Sequence, residues 1–243
     1  MVEFVVQQQY DQLAKIYDQR WKTYIENTLN FTKQWANIPP EATVLDIACG
    51  TGEFERLLLQ DNPNQHMLGV DISTEMLAIA RQKLHHCSSV RFEQGSATEL
   101  PSANEQFDIV VCASSFHYFD QPVDALAEMK RVIKPGGKVV ILDWCKDYLL
   151  CRLYDAVLKL TDPGYRQCYT QSEFHSFFST AQLTIQAATK IRFGLAWEFM
   201  IVTATNTELR KAVLFDQIKL LESNQSPLCL ELSQDAASTI GTA

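Results

Sequence analysis

The sequence predicts an α/β fold: a doubly wound sheet of mostly parallel strands under a helical cap. Three observations predict it. Short apolar runs alternate with helical patterns from Ala42 to Leu142. A glycine-rich turn, Cys49-Gly50-Thr51-Gly52, leads from the first run into the first of those helices. Acidic residues, Asp46 and Asp71, stand near the ends of the first two runs. Strands and helices alternating at this spacing make parallel β-α-β units. Right-handed crossovers then gather the C-terminal ends of the strands on one edge, where ligands bind.

The elements follow in order. Val6, Tyr10, Leu13 and Tyr17 recur at helical spacing, and Phe31 and Trp35 continue the pattern, so residues 5–37 read as one or two amphipathic helices stopped by Pro39-Pro40. Residues 43–47 form the first strand, and Phe54, Leu57 and Leu58 mark a helix ending near Asn62-Pro63-Asn64. Residues 66–70 are the second strand. Ser73 or Thr74 caps a helix that runs through Leu84, with Glu75 in its first turn. Residues 90–92 and 107–112 are strands three and four. Asp120 is the expected N-cap of the next helix, whose stripe is Val123, Leu126, Met129 and Ile133 and which ends at Pro135-Gly136-Gly137. Residues 138–142 are strand five. Residues 145–180 read as helical and aromatic, broken at Asp162-Pro163-Gly164. Two strands follow at 183–191 and 199–205, and then a helix over 208–222. The polar, small-residue stretch 223–243 is expected to be poorly ordered.

Composition narrows the function. A chain of 243 residues fits one large domain, here expected over 1–222 with a core at 41–144 and a cap at 145–180. The net charge of −8 opposes general nucleic-acid binding, which rests on Lys/Arg neutralising phosphates, and docking on anionic lipid headgroups. The seven cysteines include no CxxC pair, so reduced thiols in a cytoplasmic setting are expected, with no metal site. Residues 1–10 show no apolar signal region, and no run is long enough for stable membrane insertion.

The glycine loop selects the ligand. A nicotinamide-binding loop requires G-x-G-x-x-G, but counting from Gly50 the third glycine position holds Glu55. Asp46 would also repel a pyrophosphate at the helix N-terminus. No Lys-Ser/Thr follows the glycines, which excludes a P-loop. S-adenosylmethionine carries an ammonium and a sulfonium and no phosphate, so an acid before the loop suits it. An acid at the end of strand two, Asp71, suits ribose hydroxyls.

These residues carry a family resemblance. Val44 through Gly52 resembles the first motif of class I S-adenosylmethionine-dependent methyltransferases. Residues 68–73 resemble their second motif, 107–112 their fourth-strand segment, and 126–143, with Lys134-Pro135-Gly136-Gly137, their fifth. The match covers about residues 41–144 and is nearest to the branch of ubiquinone and menaquinone biosynthesis enzymes and small-molecule methyltransferases. Tyr10-Asp11 and Tyr17-Asp18 resemble that branch's N-terminal helix. The resemblance implies a Rossmann-like seven-stranded sheet with an antiparallel last strand, for which residues 199–205 are the candidate. It implies that Asp46, Gly50 and Gly52 hold the methionyl part and Asp71 the ribose. Ile72 and Met76 would pack near the adenine, and Ser96 and Ala97 would border its edge, although many relatives carry an acid in place of Ser96. Ser114 would line the cofactor through its backbone.

The acceptor side is expected to draw on the N-terminal helix, residues 114–119 and residues 145–180, whose rings, among them Phe174, Phe177 and Phe178, point to a small apolar or ring-bearing acceptor. His117 follows strand four and is a candidate base or orienting residue, against the plain reading of a loop histidine. Tyr17 is a candidate to reach cofactor or acceptor, whereas Tyr10 reads as core. Cys145, Cys151 and Cys168 read as buried small hydrophobes, and Asp143 as a strand end with no second acid beside it. Two rival functions remain: an S-adenosylmethionine-binding partner protein without activity, and a nicotinamide-dependent oxidoreductase.

Overall fold

In the computed structural model, which describes residues 2–194 and 197–206, the alternating runs form one seven-stranded sheet. Its strands are β1 (Thr43–Ile47), β2 (His66–Asp71), β3 (Val90–Gln94), β4 (Phe107–Ala113), β5 (Ile133–Trp144), β6 (Thr184–Phe193) and β7 (Trp197–Thr205). The order is β3-β2-β1-β4-β5-β7-β6. β1 to β5 pair in parallel, and β7 runs antiparallel to both strands it lies between, β5 and β6, as expected for the last strand. The order reverses between β1 and β4, so a crevice opens beyond their C-terminal ends, at Ile47 and Ala113.

Period-two alternation sends apolar side chains of one strand to both faces. On β5, Val139 and Ile141 join a core with Leu126 and Met129 of α5 (Pro122–Val132) and Phe174 and Phe178 of α7 (Gln171–Thr180). Val140 and Leu142 face the other way, toward Ala36, Phe31 and Trp35 of α2 (Lys22–Ala36). On that second face Phe54 and Leu58 of α3 (Glu53–Asp61) cover Val44, Met67 and Val111. Each fully buried Leu, Val or Phe stabilises the sheet by about 1.5–3 kcal/mol.

Several boundaries differ from expectation for identifiable reasons. The N-terminal pattern is two helices, α1 (Val2–Arg20) and α2, broken at Trp21. Gln121, not Asp120, precedes α5, because Pro122 takes the first helical position. Its buried stripe is Ala125, Leu126, Met129 and Val132, and Ile133 already belongs to β5. Pro135-Gly136-Gly137 is therefore an irregularity inside a long strand, where the register against β4 shifts between Phe107 and Ile109. Gly137 is required there, since a Cβ would lie 2.8 Å from the Asp108 carbonyl oxygen. Ser73 caps α4 (Thr74–Lys83) by accepting from the Met76 N–H at 3.1 Å. The helix expected at 208–222 and the stretch 223–243 lie outside the described residues.

Candidate active site

The crevice at the switch point is a cavity of about 190 Å³, joined to a second of about 60 Å³ through shared walls at Tyr17, Ala48, Gly50 and Ser115. Together they approach the roughly 300 Å³ at the lower end of small-molecule sites. The larger is lined by Asp71, Ile72, Met76, Ala97, Thr98 and rings from α1 and the loop after β4. Asp46, Cys49, Thr51 and Ser114 line the smaller.

The turn after β1 builds the junction. Ala48, Gly50 and Gly52 all have positive φ, at 59°, 56° and 75°. At Gly50 a Cβ would enter open space, so the ligand side is kept clear there. At Gly52 a Cβ would stand 3.1 Å from both Ala80 Cβ and Phe92 Cζ. Gly52 thus packs α3 against α4 and β3 and does not line either cavity, unlike the role implied for it.

Asp71 is the organising acid. Its carboxylate accepts from the Gly50 N–H at 2.9 Å and the Ser73 N–H at 2.8 Å, and keeps lone pairs toward the cavity. Burial raises its pKa to about 6 against those two hydrogen bonds, which lower it. Asp46, also buried, is raised well above the usual range by burial, then by Glu55 and Asp71. Glu55 is fully buried with both oxygens unpaired, and burial raises it to about 8. Three carboxyl groups around one glycine turn form an environment that a cationic ligand would relieve.

Helix α1 roofs the cavity and is tied down by acids on one face. Asp11 accepts from Ser73 Oγ at 2.6 Å, and Asp18 from Thr51 Oγ1 at 2.5 Å and Lys83 Nζ at 2.8 Å. Glu3 accepts from Ser96 Oγ. Ser96 itself does not line the cavity, whereas Glu3 and Ala97 do. Tyr10 and Tyr17 face inward with ring centroids 5.9 Å apart, and Tyr10 meets Tyr118 edge-on at 5.6 Å. Tyr10 is therefore a wall of the cavity, not core. Burial raises the pKa of both tyrosines, so they stay protonated as neutral rings.

His117 lies behind that wall. Its Nδ1 is 2.6 Å from Asp143 Oδ1, and its backbone N–H donates to Asp143 Oδ2 at 2.7 Å. Burial pushes its pKa down, but the Asp143 charge and hydrogen bond outweigh this and leave it raised. The ring does not line the cavity; it lies tilted against the ring of Tyr118, which does, with centroids 4.4 Å apart. The pair is legible in principle, since β4 and β5 are parallel neighbours and Ala113 pairs with Leu142. The aromatic residues of 145–180 are placed differently from expectation. Phe174 and Phe178 are fully buried against Phe116 in the main core, and no ring of that segment lines the cavity. Tyr10, Tyr17, Tyr118 and Phe119 form the ring-bearing wall instead.

The sheet order thus places an acid, a glycine turn and a second acid together at its switch point. Residues 44–137 match the family described as "Methyltransferase domain". A demethylmenaquinone methyltransferase from Deinococcus radiodurans is 43% identical over 102 residues, which span 42% of this chain and 42% of that protein. The chain thus matches under half the length of that relative. An uncharacterized methyltransferase of Bacillus subtilis, YcgJ, is 28% identical over 201 residues, spanning 80% of this chain and 78% of that one. The crystal structure of the Bacillus subtilis YcgJ protein shares the fold with a TM-score of 0.63 at 21% identity, covering 74% of this chain and 97% of that chain. Residues 44–137 thus match a methyltransferase domain, and the chain is similar in sequence to relatives named as demethylmenaquinone and ubiquinone/menaquinone biosynthesis methyltransferases.

Proposed function

We propose that the chain transfers the methyl group of S-adenosylmethionine to a small, apolar or ring-bearing acceptor. The observation that carries this is the pair of buried acids, Asp46 and Asp71, at the ends of adjacent strands on either side of the open Gly50 turn. Both sit at raised pKa, so a cationic ligand gains from their ionisation. Asp46, Gly50 and Ser114 would hold the methionyl part, Asp71 the ribose, and Ile72, Met76 and Ala97 the adenine. Glu3, held by Ser96, would supply at the adenine edge the carboxylate that many relatives carry at the Ser96 position.

The bound cofactor supplies an electrophilic methyl group, and the chain's own task is alignment. Orienting a nucleophile against it contributes about 7–11 kcal/mol in well-ordered systems. Tyr10, Tyr17, Tyr118 and Phe119 give the acceptor an apolar wall and exclude water. A relative named for demethylmenaquinone supports a ring-bearing acceptor. We assign Tyr17 to contact with cofactor or acceptor. His117 acts on the acceptor through the loop it braces, or as its base if the ring turns into the cavity.

Calorimetric titration with S-adenosylmethionine and NAD in parallel tests the cofactor. Labelled methyl donor with a metabolite extract tests the reaction. Binding and turnover of the methyl donor are expected; NAD binding alone would overturn the reading, and binding without turnover would make the chain a non-enzymatic partner protein.

A further inference from the structure

The helix after β5, α6 (Leu149–Thr161), buries Cys151 and Asp155 and half-buries Leu158. Leu149, Leu150, Leu153, Tyr154, Val157 and Leu160 are all exposed, Leu149 at 71% and Leu160 at 88%. Six of the nine exposed large hydrophobic residues among the described residues thus sit on this one helix. At 100° per residue they share one arc that no charged side chain interrupts.

Size and composition decide what such a face fits. The arc presents roughly 600 Å², at the upper end of the largest apolar patch on a monomer. A standard protein interface uses about 800 Å² per partner, and its energetic centre favours Trp, Tyr and Arg over Leu. A single convex helix with leucines at its crown suits a deformable medium better than a rigid partner.

Charge points the same way. The whole chain is acidic, yet the flanks of α6 reverse that sign. Arg152, Lys159 and the nearby Lys146 stand beside Asp155, which pairs with Lys146 at 2.7 Å and Lys159 at 3.0 Å, while the buried Glu198, which accepts from the Cys151 N–H at 3.0 Å, is paired with Arg192 at 2.8 Å. Asp155 stays ionised, its pKa lowered to about 2: burial alone would raise it, and the hydrogen bonds from Lys146 and the Cys168 N–H outweigh that. Asp162, at the helix end, is turned inward to Gln9 and Tyr118. Asp147 is paired with Lys190. Two exposed amphipathic rings, Tyr154 and Trp21, are joined through the half-buried Trp144 and Tyr24: Tyr154 meets Trp144 at 5.9 Å, Trp144 meets Tyr24 at 6.2 Å, and Tyr24 meets Trp21 at 6.1 Å. Arg20 lies 5.5 Å over Trp21. Apolar face, cationic flank and Trp/Tyr margin are the parts of an interfacial helix.

We propose that the exposed face of α6 docks on a lipid surface, lying in the plane between headgroups and acyl chains with Arg152 and Lys159 among anionic headgroups. Cys151, on the opposite side of the helix, packs with Tyr165 and Cys168 against Tyr118, a wall of the cavity. Docking therefore places the lipid surface across α6 from the side chains that back that wall. Only the reading of that wall as the acceptor's rests on the proposed methyl transfer.

Vesicle flotation of the full chain tests the docking without reference to activity. The wild type should float with phosphatidylcholine vesicles, and more so when about one third of the lipid is phosphatidylglycerol. L153E/L160E should lose at least about tenfold of the bound fraction on both, while R152Q/K159Q should lose only the phosphatidylglycerol-dependent increment. An unchanged melting temperature shows that the exposed substitutions leave the fold intact. Wild type and L153E/L160E both remaining in solution would overturn the proposal, and so would equal flotation of the two. A dimer in light scattering that L153E/L160E converts to monomer, with no flotation, would assign the face to a second copy of the chain instead.

Discussion

At the residue scale, two glycines in one turn separate ligand space from packing. Gly50→Ala adds a methyl to open space at the cavity junction, with a left-handed strain of about 1–2 kcal/mol. It should lower methyl-donor affinity by tenfold or more with a modest change in melting temperature. Gly52→Ala meets Ala80 and Phe92 and should chiefly lower the melting temperature. Calorimetry and thermal melts on both variants separate the two effects, and identical profiles would refute the distinction. Asp71→Asn should also cost at least tenfold in affinity, since a hydrogen bond to a charged group is worth about 1.5–3 kcal/mol. An undiminished affinity in a folded variant would remove Asp71 from the ribose site. For His117 the sign is set by Asp143. A raised histidine pKa contributes stability that is complete below its unfolded value, near 6.5, and is lost as pH rises through the folded value. If His117 is the base, the methylation rate rises with pH through a value above about 6.5, and Asp143→Asn moves that limb to lower pH. If it only braces the loop, Asp143→Asn lowers the rate evenly across pH.

At the element scale, α1 is the part of the site held by tethers rather than by the sheet. Asp11 and Asp18 fix it to the N-terminus of α4 and to the glycine turn. Both bonds are partly exposed, so each contributes at the lower end of its range. D11A/D18A should therefore weaken methyl-donor binding by about tenfold, chiefly through faster dissociation, and leave the sheet's melting transition in place. Stopped-flow fluorescence of Trp21, just beyond the end of α1, follows this directly. A dissociation rate equal to that of the wild type would show that α1 is not the lid.

At the scale of the whole molecule, the buried acids couple the cofactor site to stability. Asp46, Glu55 and Asp71 have raised pKa values, led by burial, so the folded state holds more protons than the unfolded chain above about pH 4. Without ligand, their contribution to stability falls from about pH 4 upward and levels off as each group ionises, near 6 for Asp71 and near 8 for Glu55. A cationic methyl donor offsets that loss, so the rise in melting temperature on adding S-adenosylmethionine should grow from about pH 5.5 to about pH 8. Scanning fluorimetry across that range checks it, and a shift independent of pH would show that the acids do not sense the ligand's charge.

Much of the fold and of the cofactor edge is legible in the chain's local chemistry. The sheet core, the strand ends carrying Asp46 and Asp71, and the capping Ser73 follow from periodicity and turn chemistry, because each concerns neighbours in sequence. Ile72, Met76 and Ala97, named from the sequence, reach the cavity wall. What lies beyond such reasoning depends on which elements meet. Tyr10 and Tyr17 share one helical face, and only the seating of α1 over the glycine turn makes that face a wall rather than core. Phe174 and Phe178 carry the same local signal as a ring-lined pocket, and only the packing of α7 against α5 buries them. Likewise, the charge of −8 is a sum that hides the cationic flank of α6. The sequence by itself determined the sheet, its switch-point edge and the two acids that stand there, since strand period and βα-turn chemistry act over a few residues. Only the tertiary structure decided which rings line the cavity and which apolar face meets the outside, because burial is settled between elements far apart in the chain.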